Sequence, residues 1–201
     1  MRRTALLWLA LAWTPAAAQD IDLAPGTELE ARVDGDLNGD GVDDIAYVAG
    51  DEDSRALTVL LSVRHEVDFE FAPEVLLLEP TMLGPGSLSI DGNVLRFEDL
   101  TGGTTAVSST RRLRYDGARK RMRLIGLDAA LYSRTHAHDG FEVSWNLLNG
   151  DTVTRVLRLD DGGGEEAYRP ARERRFKRRI RAQFLSDAPD PETLLEESRG
   201  G

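Results

Sequence analysis

"FEVSWNLLNGDTVTRVLRL", residues 141–159, is the stretch whose reading decides the fold class. Phe141, Val143, Trp145 and Leu147 occupy every second position of its first arm, and Asn149-Gly150 then offers a tight reversal. A period of two places one apolar row on one face of a pleated strand, whereas a helix would scatter the same side chains around its circumference. The stretch therefore reads as a β-hairpin. Its second arm alternates less cleanly, as a strand carrying a bulge does.

The same grammar runs upstream. In "RRLRYDGARKRMRL", residues 111–124, Leu113 and Tyr115 alternate with Arg112 and Arg114, as Met122 and Leu124 do with Arg121 and Arg123, giving one apolar and one cationic face. In "SLSIDGNVLRF", residues 87–97, Asp91-Gly92 fits the two positive-φ positions of a type I′ turn and would set Leu88 opposite Leu95. "TELEARV", residues 27–33, alternates Leu29, Ala31 and Val33 with Glu28, Glu30 and Arg32. "IAYV", "ALTVLLSV" and "VDFEF", the last with Val67, Phe69 and Phe71 at period two, continue the series. The expected fold is all-β: an antiparallel meander of about eight to ten strands that must stack or close to hide its apolar face, as a sandwich, an open barrel or a partial propeller-like sheet.

Both ends differ from this body. "MRRTALLWLALAWTPAAAQ" has a positive start, an apolar run too short to span a bilayer, and a small-x-small pattern at Ala16 and Ala18, so residues 1–18 read as a cleavable signal peptide. The chain is expected to be periplasmic or secreted. "RPARERRFKRRIRAQFL", residues 169–185, places Phe176, Ile180 and Phe184 four apart, the spacing of a basic helix with one apolar stripe, followed by an acidic, fraying tail. The expected division is a signal peptide (1–18), an all-β domain (19–163), and a charged C-terminal helix and tail (164–201).

The chain has 25 Lys+Arg, 35 Asp+Glu and no cysteine; loss of the signal peptide would move the net charge from −10 to −12. An acidic balance argues against nucleic-acid binding. Without disulfides, an exported chain depends on its core, its turns or a bound ion for stability.

"DGDLNGDGVDD", residues 34–44, gathers Asp34, Asp36, Asp40, Asp43 and Asp44 in one loop, so something must offset their repulsion. Counted from Asp36, the pattern is D-x-N-x-D-G-x-x-D: Asp36, Asn38, Asp40 and Asp44 offer side-chain oxygens and Val42 a carbonyl. Calcium takes six to eight such hard oxygens at ~2.3–2.6 Å. An EF-hand is excluded, because its twelfth position carries a Glu where this loop has Tyr47, and because the flanks read as strands. The metal candidates are thus Asp36, Asn38, Asp40, Val42 and Asp44, with calcium as the expected ion and a stabilising role.

"DLNGDGVDDIAYV", residues 36–48, resembles the loop and inner strand of FG-GAP or VCBS repeats, the blades of integrin-like β-propellers. The resemblance implies a calcium loop joining two strands. A second such loop is absent from the sequence and its strands suffice for two or three blades, so neither a full propeller nor integrin-type ligand binding carries over. "RYDGARKRMRLIGLD" and "SWNLLNG" are similar in wording to small exported bacterial proteins of unknown function with one such loop.

Catalytic signals are thin. The serines lack a G-x-S-x-G setting, no cysteine nucleophile exists, and no carboxylate pair stands apart. His136 and His138, with Asp139 beside them and His65 as a third nitrogen, form the weaker zinc or copper candidate of a secreted metal-dependent hydrolase. The basic run Arg172, Arg174, Arg175, Lys177, Arg178, Arg179 and Arg181 is the candidate for docking at an anionic membrane surface of the envelope. The first expectation is an exported, calcium-binding, β-rich module without catalysis that recognises a protein or glycan partner.

Overall fold

The computed structural model describes residues 21–64, 69–80, 82–160 and 167–200; the expected signal peptide lies outside the described residues. Eleven strands run in chain order: β1 (Glu28–Gly35), β2 (Asp44–Gly50), β3 (Arg55–Arg64), β4 (Phe69–Leu77), β5 (Ser87–Asp91), β6 (Val94–Gly102), β7 (Thr105–Asp116), β8 (Arg121–Ser133), β9 (Gly140–Asn146), β10 (Asp151–Leu159) and β11 (Tyr168–Lys177). Strands β1–β4 form one antiparallel sheet and β5–β11 a second, each with its strands in sequence order. The all-β meander is thus two meanders. Their inner faces share one core, in which Val48, Leu57 and Val59 of the first sheet join Leu95, Phe97, Leu113, Met122, Leu124 and Leu127 of the second.

The hairpin arms at residues 141–159 pair in regular register, Trp145 opposite Thr152 and Val143 opposite Thr154. The expected bulge falls one strand later: Val156 faces Arg172 while Leu157 faces Pro170, leaving Ala171 as the extra residue of β11. The β5–β6 hairpin also turns one residue later than the sequence suggested. Asp91 pairs with Val94, so Gly92-Asn93 is the turn, Leu88 faces Phe97 and Ile90 faces Leu95. Gly92 at φ +60° takes the first turn position, which type II′ reserves for glycine.

The largest departure concerns the C-terminus. The basic segment expected as a helix is strand β11 as far as Lys177 and irregular over 178–183, and the expected fraying tail carries the helix α1 (Pro191–Arg199). As a helix, the segment would stack Arg174 on Arg178, Arg175 on Arg179 and Lys177 on Arg181, like-charge pairs that destabilise. As a strand it divides the charges between two faces and fills the open edge of β10, whose backbone groups need partners. α1 is started by Asp190, which accepts the Thr193 N–H at 2.9 Å, with Pro191 in the first turn. Leu194 and Leu195 are buried in the common core. Strand β11 and helix α1 are therefore built into the β body.

β1 departs from its expected alternation as well. Pairing with β2 slips between Leu29 and Ala31, so Glu30 is the bulged residue. Leu29 is left 46% exposed. The Glu30 side chain instead turns in to Arg55, which it meets at 2.7 and 2.8 Å, and Arg55 reaches Asp99 of the other sheet at 2.9 Å. This buried triad ties the two sheets together.

Candidate functional site

The acidic loop spans the turn from β1 to β2, with strands on both sides. Gly39 and Gly41, both at φ +82°, let the chain fold back on itself where a side chain would strain the backbone. Leu37 is 2% exposed and anchors the loop in the core.

Backbone N–H groups offset the repulsion among the carboxylates. Asp36 Oδ1 accepts from Gly39 N at 2.6 Å and Asp40 N at 3.2 Å, and its Oδ2 from Gly41 N at 2.9 Å. Asn38 Oδ1 accepts from Asp40 N at 2.9 Å, and Asp40 Oδ1 from Val42 N at 2.8 Å. Each is a local bond between a loop side-chain oxygen and a backbone N–H two to five residues on.

Asp44 plays a different part. It has no exposed surface; its Oδ2 accepts from Leu37 N at 2.7 Å and Asn38 N at 3.0 Å, and its Oδ1 from Ser62 N at 2.6 Å and Ser62 Oγ at 2.9 Å. Asn38 Nδ2 also donates to the Ser62 carbonyl at 2.7 Å. Asp44 is thus the clamp that fixes the loop to β3. Burial pushes its carboxyl above the ordinary aspartate value, against the opposing pull of its Ser62, Leu37 and Asn38 hydrogen bonds. The Ser62 Oγ also lies 3.2 Å from Asp40, so its one proton is shared between two of the expected ligands. Sequence reading missed it, because a serine in a buried strand carries no local sign of a partner 18 residues away.

Among the described residues, no three His, Asp or Glu side chains are gathered as they would be around an ion. The oxygens of Asp36, Asn38 and Asp40, with the Val42 carbonyl, are those able to turn toward a cation. The carboxylates are charged, hard and held on one short loop, which suits calcium.

Of the histidine candidate, the structure describes His136, His138 and Asp139. His138 Nε2 lies 2.9 Å from Thr105 Oγ1 and Nδ1 lies 2.8 Å from the Asp139 carbonyl, so both ring nitrogens are engaged. Asp139 is held by Arg158 at 2.7 Å and by Leu159 N at 3.2 Å. His136 sits at φ +55° in the turn, and His65 lies outside the described residues.

The basic segment forms an exposed edge strand through Lys177 and continues beyond it without regular structure. Within it, Glu173 pairs with Arg155 at 2.8 Å and Arg175 at 2.7 Å, and Lys177 pairs with Asp151 at 2.7 Å. Arg178, just beyond β11, pairs with Glu197 and lies 5.1 Å from the centre of the Trp145 ring. Arg169, Arg172, Arg179 and Arg181 are exposed and make no ion pair among the described residues. No helix among the described residues is long and apolar enough to cross a membrane.

No protein-family model matches the chain, and neither a curated protein nor a solved structure matches it.

Proposed function

We propose that the chain is an exported, calcium-stabilised β-rich binding module without catalysis. The observation that carries this reading is the 36–44 loop. It joins two antiparallel strands, is bent by two glycines, and presents Asp36, Asn38, Asp40 and the Val42 carbonyl at alternating positions, with Asp44 anchoring its base. Calcium neutralises the charge that backbone donors only partly offset, and it fixes the β1–β2 connection against β3. Exported modules hold calcium with dissociation constants of about 10⁻⁴ to 10⁻³ M. At a few-fold excess the gain in stability is then about 1 kcal/mol. Thermal unfolding with calcium, magnesium or chelator tests this. The midpoint is expected to rise with calcium selectively and not to rise in Asp40→Ala; equal midpoints in calcium and chelator for the wild type reject the reading.

A second reading is favoured by one observation, the four arginines along and just beyond the β11 edge that make no ion pair among the described residues. In it the protein docks at an anionic membrane surface of the envelope through this edge, where each Arg near the surface contributes ~1 kcal/mol. Co-sedimentation with phosphatidylglycerol vesicles is expected to fail at high salt and in the triple variant Arg172→Glu, Arg179→Glu, Arg181→Glu. Equal sedimentation of wild type and variant removes this reading.

A further inference from the structure

Arg111 of β7 is an anomaly of the interior. It is 5% exposed and in a sheet that faces the common core, yet its Nε has no hydrogen-bond partner and its guanidinium makes one long bond, to Ser109 Oγ at 3.4 Å. The Phe97 ring lies beside it with its centre at 5.9 Å, and the charges of Asp99, Asp190 and Arg55 reach it through space. A guanidinium carries five N–H donors and stays charged in proteins, so a site that satisfies so few of them asks for an acceptor from outside.

Arg111 lines a cleft of 240 Å³ where the end of β4 and the start of α1 meet the inner face of β6 and β7. This is smaller than the ~300–1,000 Å³ of drug-sized ligand sites, so its occupant is small. The carboxylates nearby do not serve Arg111 directly. Asp99 gives Oδ2 to Arg55 at 2.9 Å and Oδ1 to Leu100 N at 3.0 Å, and Asp190 caps α1 at Thr193 N. Asp190 and Glu192 stand on the α1 side of the cleft, and Leu78, Val107 and Pro191 supply apolar wall.

A simple anion would meet the buried cation but also these carboxylates. A molecule with both charges meets each with its opposite. We propose that this cleft binds a free α-amino acid with an apolar side chain, its carboxylate on the Arg111 guanidinium, its ammonium toward Asp190 and Glu192, and its side chain against Leu78, Val107 and Pro191. The site is independent of the calcium loop, so neither reading falls with the other.

Titration calorimetry of the protein with L-leucine, N-acetyl-leucine, leucinamide and acetate tests the assignment. L-Leucine is expected to bind in the millimolar range or tighter, with leucinamide at least ~10-fold weaker because it leaves the buried Arg111 charge without its partner, and with N-acetyl-leucine weaker than leucine because it offers no ammonium to the exposed Asp190 and Glu192. Arg111→Met, close in shape and free of the charge, is expected to keep the fold and lose leucine binding. If that variant fails to fold, Asp190→Asn, which retains a capping oxygen, carries the test through a selective loss of leucine over acetate. No heat with any probe overturns the proposal. So does leucine binding unchanged in Arg111→Met, or acetate binding as tightly as leucine.

Discussion

The β1–β2 loop and the Glu30–Arg55–Asp99 triad hold charge against a largely apolar body by opposite means. In the loop the charges are alike and lie within nine residues, and the backbone offsets them: Gly39, Asp40, Gly41 and Val42 donate to Asp36 and Asp40, while Leu37, Asn38 and Ser62 donate to Asp44. In the triad the charges are opposite and come from β1, β3 and β6, and side chains offset one another, with side-chain exposures of 9% for Glu30, 2% for Arg55 and 5% for Asp99. The loop's arrangement is nearly local and tolerates an added cation. The triad is long-range and less forgiving, because its members are largely shut off from water that could replace a lost partner.

The comparison breaks most visibly at Arg55. Arg55→Met strands two carboxylates between the sheets and is expected to cost about 3–5 kcal/mol in urea unfolding, the range for removing one partner of a buried ion pair. Adding Glu30→Gln and Asp99→Asn to it should recover part of that loss, and failure to recover any would mean that Arg55 acts by shape and not by charge. Asp44→Ala comes next. It leaves the Leu37, Asn38 and Ser62 N–H groups without their acceptor, at ~1–3 kcal/mol for each donor that stays buried. Relaxation of the loop toward solvent holds the total near 3 kcal/mol, and hydrogen exchange at Leu37 and Ser62 should speed up first.

Legibility in the sequence follows the same division. The hairpins and the acidic loop were readable because each is written within a short window: Phe141, Val143, Trp145 and Leu147 mark a face, and Asp36, Asn38, Asp40 and Gly41 mark a bend. The β1 bulge was not, because Leu29 and Glu30 obey the alternation in sequence and depart from it only when Arg55 supplies a buried partner 25 residues away. The basic segment misled for a related reason. Phe176, Ile180 and Phe184 keep a helical spacing, but the open edge of β10 and the stacked like charges decided for a strand. α1 did carry a local sign, Asp190-Pro191-Glu192, which is a helix start, but only the adjacent Leu194 and Leu195 follow as an apolar stripe. Arg111 and Ser62 left no sign at all, since a polar residue on an inward face declares itself only after its sheet has been packed.

Acid sharpens the contrast. The Glu30 carboxyl is held below its ordinary value of 4.5 by the Arg55 guanidinium and the Gly86 N–H, which together outweigh the opposing effect of burial. A carboxylate with a depressed pKa adds stability that is present above the unfolded value and is lost as pH falls through the folded one. The wild type should therefore exceed Glu30→Gln by ~1.5–3 kcal/mol at neutral pH, as for hydrogen bonds to a charged group. That gap should close below pH 4.5. A gap that persists into strong acid would show that Glu30 contributes through packing.

The smallest effect tests where loop and sheet join. Ser62→Ala keeps the backbone N–H that reaches Asp44 at 2.6 Å and removes the hydroxyl that reaches Asp44 at 2.9 Å and Asp40 at 3.2 Å. One hydroxyl bond is worth ~0.5–1.5 kcal/mol, so the chelated protein should lose about 1 kcal/mol. With calcium present the loss should be smaller, because an ion that fixes Asp40 makes the hydroxyl's hold on it redundant. Urea titrations of both proteins in calcium and in chelator measure this as a coupling between the substitution and the ion. Equal losses in the two conditions would separate the Ser62 hydroxyl from the ion's reach and leave Asp44 and the Asn38 bond to the Ser62 carbonyl as the links between loop and strand.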